Sequence, residues 1–126
     1  MDIEGHVAIA RRIESSMQKC GEADYEMSIE AAMLAGTHWL NVLLHKCGAT
    51  PTMQDVFHSY LLTVNEFRRL AVAAEKPLSA LAAIEDSRAP FVRGNHAGGE
   101  AAAERALTLL AQIRASALGA TSVGNT

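Results

Sequence analysis

The chain has 126 residues, the size of one ordinary domain, and its 49% hydrophobic and 20% charged residues set it apart from disordered sequences. One Trp, two Tyr and three Phe in an Ala-rich background favour helices over a β-sandwich. A net charge of −3 excludes a wholesale basic nucleic-acid binder.

The opening Met1-Asp2-Ile3-Glu4-Gly5-His6 carries acids where a secretion signal carries positive charge. No apolar run approaches the ~18–20 residues of a membrane span, so the expected location is cytoplasmic, with no membrane partner. Ile3, Val7, Ala10, Ile13 and Met17 recur at three- and four-residue steps, predicting a first helix from about Asp2 to Cys20, closed by Gly21. Asp24 is a candidate cap for a second helix reaching Lys46 and stopped by Gly48. That helix has two apolar stripes, one through Ile29, Met33, Gly36, Leu40 and Leu43, the other through Ala31, Ala35, Trp39 and Val42. Its polar strip holds Glu30, His38, Asn41 and His45. A helix apolar on two sides must be covered on two sides, which points to a homodimer with Ala35, Trp39 and Val42 at its interface. Cys20 and Cys47 at the helix ends would stand about 35–40 Å apart at 1.5 Å per residue, beyond disulfide reach.

Pro51 suits the first turn of a third helix, with Val56, Tyr60, Val64, Phe67, Ala71 and Ala74 on its inner face up to about Glu75. Lys76-Pro77 restarts the chain into a short fourth helix through Leu78 and Leu81. Residues 87–99 break the pattern, and Pro90 predicts a kink or irregular connection. A last helix spans about Glu100 to Leu118. These elements predict an all-α, antiparallel up-and-down bundle of four to five helices over residues 1–119, with a loose tail over 120–126. Its core is expected to include Val7, Ile13, Ile29, Met33, Leu40, Leu43, Tyr60, Val64, Phe67, Leu81, Leu109 and Ile113, and Met17, Met27, Met33 and Met53 read as packing residues.

Five histidines raise the question of a metal. The Glu-x-x-His pattern of bundle diiron sites is missing, and His38 and His45 lie seven residues apart, about 10 Å along one helix. No metal and no cofactor are expected on that spacing. His45 and Cys47 point to different sides of a helix, and Gly94, Gly98 and Gly99 match no phosphate-loop fingerprint.

Two stretches together resemble the HEPN family of small helical bundles. One runs from Asp24 through Ala31-Ala32-Met33-Leu34-Ala35-Gly36 to Leu43-Leu44-His45-Lys46-Cys47-Gly48. The other is Ile84-Glu85-Asp86-Ser87-Arg88-Ala89-Pro90-Phe91-Val92-Arg93-Gly94, leading into Glu100 and the last helix. The resemblance covers roughly residues 5–116 and implies a homodimer. In many members an Arg and a His converge across the dimer cleft to cleave RNA without metal. Here Arg88 matches the Arg, whereas the position ahead of the glycine holds Arg93. Arginine keeps its proton at physiological pH and cannot act as a general base. His96 follows three residues later.

The resemblance therefore implies a non-catalytic module for a phosphate-bearing ligand, such as a nucleotide, or for a protein partner, as one component of a toxin–antitoxin or nucleotidyltransferase pair. A metal-independent ribonuclease using Arg88 and His96 is the alternative. Arg88, Arg93, Asn95 and His96 are the expected ligand-binding group, since paired guanidinium groups suit phosphate and the last helix starts nearby. Ion pairs of Arg88 and Arg93 with Glu85, Asp86 or Glu100 are the structural alternative.

Overall fold

A computed structural model describes residues 1–123. Four α-helices account for most of the chain: α1 (Ile3–Met17), α2 (Tyr25–Lys46), α3 (Val64–Asp86) and α4 (Gly99–Gly119). No β-strand occurs among the described residues. The Asp2 carboxylate starts α1 by accepting from Gly5 N at 2.7 Å. Asp24 does not cap α2 as expected; its carboxylate accepts from Gly21 N at 2.8 Å and tightens the turn between α1 and α2.

α2 is the centre. It packs against α1, α3 and α4, and α3 packs in turn against α4. Ile29, Ala32, Ala35, Trp39, Leu40, Val42 and Leu44 are all fully enclosed. Both apolar stripes of α2 are thus covered by the chain's own helices. This corrects the expected dimer face. Ala35, Trp39 and Val42 are each 0% exposed in a single chain and cannot anchor a second copy without opening the bundle.

The third helix begins well after Pro51. Residues 51–62 form a largely extended connection with a turn at its start, where Gln54 N donates to Pro51 O at 2.9 Å, and another at Ser59–Leu61, and α3 starts where Thr63 and Glu66 make a reciprocal capping box. Tyr60 and Val64 consequently leave the expected core: Tyr60 stacks on His58 with ring centroids 4.6 Å apart, and both Tyr60 and Val64 are exposed. The predicted break at Lys76-Pro77 is a kink within one helix. Pro77 lacks an N–H, and the backbone at Ala74 leaves helical geometry (φ −144°, ψ 40°) three residues earlier.

After α3, Ala89–Arg93 makes a single wide turn in which Gly94 N donates to Ala89 O at 2.8 Å. Pro90 sits at its start, as the sequence predicts for an irregular connection. A side chain at position 94 would press on the Pro90 carbonyl, so the turn needs glycine there. Of the expected tail, Ala120 packs against the core and Val123 N donates to Lys46 O at 2.7 Å. Residues 124–126 lie outside the described residues.

Candidate metal centre

The site is assembled by the extended connection. Asn41, from the polar strip of α2, is buried and reaches across to it. Its amide nitrogen donates to Val56 O at 2.7 Å, and its amide oxygen accepts from Val56 N at 2.8 Å. A loop backbone enclosed by helices must find such partners, and this pair holds residue 56 in place. The neighbouring Asp55 carboxylate is thereby presented to α1 and α2.

Two imidazoles meet it. His6 Nε2 from α1 and His45 Nε2 from α2 each lie 2.9 Å from the same oxygen, Asp55 Oδ1. His6 is 2% and His45 8% exposed. The α-amino group of Met1 lies 3.2 Å from Oδ2. Burial by itself would raise the Asp55 carboxyl, but hydrogen bonds from His45, His6 and the Met1 amino group outweigh it and hold the group at about 2. Asp55 is therefore a carboxylate at neutral pH, and both imidazoles direct their Nε2–H groups at it.

The opposite ring nitrogens are also engaged. His45 Nδ1 faces both the Thr50 hydroxyl, at 2.9 Å, and the Thr50 carbonyl oxygen, at 3.1 Å. The hydroxyl donates when Nδ1 is bare, and the carbonyl accepts when Nδ1 carries the proton. His6 Nδ1 lies 2.9 Å from His38 Nδ1, so one of the pair donates and either can do so. His38 is held below its ordinary value of 6.5, chiefly by burial and then by neighbouring His6.

This backing suits a metal. An imidazole that ligates through Nε2 must carry its proton on Nδ1 and needs an acceptor there. His45 has one in the Thr50 carbonyl, and His6 has one in His38. The three ligating atoms of His6, His45 and Asp55 lie within 4.8 Å of one another. A tetrahedral ion with bonds of about 2.0–2.2 Å sets neighbouring ligand atoms about 3.3–3.6 Å apart, so the Asp55 oxygen, 2.9 Å from each imidazole, has to withdraw from both to admit the ion. Two nitrogens and one carboxylate form a donor set that divalent transition metals accept.

The expectation of no metal rested on spacing within one helix. His38 and His45 indeed do not ligate together, but His45 meets partners from α1 and from a connection whose shape the sequence pattern concealed. His6 and Asp55 were not singled out. The available signal was Asp55 among turn residues and the polar strip of α2 facing it.

The group expected to bind phosphate is arranged differently. Arg88 Nε donates to Glu30 Oε1 at 2.8 Å, tying the wide turn to α2. Glu30 was not among the partners considered for it. Arg88 and Arg93 line one shallow cavity of about 330 Å3, together with Tyr60, Ala89 and the acids Glu85 and Asp86. Asn95 and His96 are not part of that lining. The His96 ring meets Phe91 edge-on at 6.4 Å, and its backbone N donates to Pro90 O. Arg93 forms no ion pair among the described residues. Glu85 is spent on the connection, accepting from Ser59 N at 3.0 Å, from the Ser59 hydroxyl and from His58 Nδ1 at 3.0 Å.

No protein-family model, curated protein or solved structure matches the chain.

Proposed function

We propose that this helical bundle is a metal-binding protein that holds one divalent transition-metal ion through His6 Nε2, His45 Nε2 and the Asp55 carboxylate. The observation that carries the reading is the convergence of two buried imidazoles on one carboxylate oxygen, each with its far nitrogen backed by an acceptor. Hydrogen-bonded clusters without metal also occur in proteins, but they do not need a Thr50 carbonyl placed to take a proton from His45 Nδ1. The HEPN-like, antiparallel arrangement is retained as part of this proposal, supported by three helices packed around α2.

Calorimetric titration of zinc into the full chain at pH 7 tests it. One equivalent is expected to bind, each imidazole moving its proton from Nε2 to Nδ1 as Nε2 takes the ion. Asp55→Asn keeps the side chain's shape and one carbonyl oxygen. It should weaken binding by more than the roughly 10–100-fold that loss of an outer-shell partner costs. Equal zinc affinity in wild type and Asp55→Asn overturns the reading.

A phosphate-bearing ligand at Arg88 and Arg93 has less support. Arg88 already serves Glu30, and two acids share the cavity, so an incoming phosphate would face repulsion beside its two cations.

A further inference from the structure

We propose that the ion held by His6, His45 and Asp55 keeps a fourth coordination position, and that this position takes a small monoanion through oxygen or nitrogen. The proposal rests on the metal reading above and extends it to the ligand the metal would carry.

The first argument is an accounting of donors. A tetrahedral ion wants four ligands and the cluster supplies three. The polar side chains around it have other duties. Both ends of the Asn41 amide are bound to Val56. The Thr50 hydroxyl is on His45, and the Thr37 hydroxyl donates to Met33 O at 2.9 Å. His58 Nδ1 is on Glu85. His38 stands behind His6, Nδ1 to Nδ1, on the side of the ring away from Asp55. The Met1 α-ammonium, which also lines the cavity, donates to Thr52 O at 2.7 Å and faces Asp55 Oδ2 at 3.2 Å. Among the described residues around the cluster, each of these polar groups is thus engaged elsewhere, which leaves the fourth position to a ligand from outside.

The second argument is space. A cavity of about 250 Å3 reaches two of the three ligands, His6 and Asp55, and is otherwise walled largely by Met33, Leu34, Val56 and Phe57. A water molecule occupies about 30 Å3 of liquid, so the cavity accommodates a ligand of several atoms.

Charge selects the ligand. A divalent ion with one carboxylate leaves a net charge of +1, the Met1 α-ammonium beside Asp55 adds to it, and Asp55 is the only acid lining the cavity. Uncompensated charge beside apolar walls is costly, and a monoanion bound to the ion offsets it. Hydroxide, azide and short carboxylates such as acetate share this chemistry.

Cobalt(II) makes the position visible, because its visible absorption reports coordination number and ligand exchange. The full chain loaded with one equivalent of cobalt(II) is titrated with azide and, separately, with acetate, and Leu34→Trp serves as a cavity-filling variant. Leu34 is 48% exposed, so the larger ring can be placed without disturbing the core. Saturable spectral changes with both anions are expected in the wild type. In Leu34→Trp, azide should bind at least tenfold more weakly while cobalt affinity stays within twofold. A cobalt spectrum that ignores both anions overturns the open position while leaving the metal reading intact. Equal azide affinity in both proteins shows the anion binding elsewhere and also overturns it. If cobalt does not bind at all, the metal reading fails and the inference fails with it.

Discussion

Asp55 is an ionised side chain whose state is decided by three hydrogen-bond donors rather than by its exposure. The metal-free protein should show this in its acid response. Asp55 is depressed from its ordinary 3.8 to about 2, and His38 is depressed from 6.5, so the unfolded chain binds protons more readily than the folded chain at both groups. Stability is therefore full above about pH 6.5. It declines first as pH falls below 6.5, where burial and His6 oppose a charge on His38, and again between about 4 and 2 as Asp55 is forced to protonate. Urea midpoints measured with a chelator at pH 7.5, 5 and 3 should fall in that order. His38→Gln should flatten the upper step and leave the lower one, and a midpoint that rises on acidification would contradict the assignment.

At the scale of elements, the start of α4 shows how a small residue sets the approach of two helices. Gly99 is buried, and a methyl group there would overlap the Tyr25 ring at the start of α2. Neither the Cα position nor an aromatic ring at a helix start can yield far in a packed bundle. Gly99→Ala should destabilise the protein by about 1–3 kcal/mol through overpacking. In a Tyr25→Ala background the same substitution should cost much less, because the space it needs has been made. A double-mutant cycle by urea unfolding reads the difference, and purely additive effects would show that the contact is not the cause. The joint matters because the same end of α2 carries Glu30, which fixes Arg88 and with it the wide turn leading to α4.

For the whole molecule, Trp39 is where three helices are joined. It is fully buried on α2, its indole N–H donates to Glu14 Oε2 of α1 at 2.7 Å, and Glu14 also pairs with Arg114 of α4. The Arg11 guanidinium lies 5.5 Å from the centre of its ring. Because this burial is internal, Trp39 fluorescence should be blue-shifted, resistant to iodide and unchanged on dilution from tens of micromolar to tens of nanomolar. A red shift on dilution would show instead that a second chain covers the ring. Trp39→Ala removes both packing and the Glu14 acceptor's partner, and should cost about 3–5 kcal/mol.

The sequence by itself determined the elements that are periodic. Ile29, Met33, Leu40 and Leu43 on α2, and Ile113 on α4, are buried as their three- and four-residue spacing predicts, because such spacing commits a helix face before any neighbour is known. Pro90 likewise announced an irregular turn, since a residue without an N–H cannot continue the ladder. Residues 51–62 carry no comparable local instruction. Pro51, Val56 and Tyr60 fit a helical spacing, yet the segment is extended because Asn41 holds Val56, His6 and His45 hold Asp55, and Glu85 holds Ser59. Each of those partners lies on a helix at least ten positions away in the chain. What covers Trp39 was hidden for the same reason: an apolar stripe states that a surface must be buried, but not whether α1 and α4 of the same chain or a second copy will bury it. The candidate metal centre belongs to that second kind of information. Its three ligands come from α1, α2 and the connection, and only the packing of those elements brings them to one point.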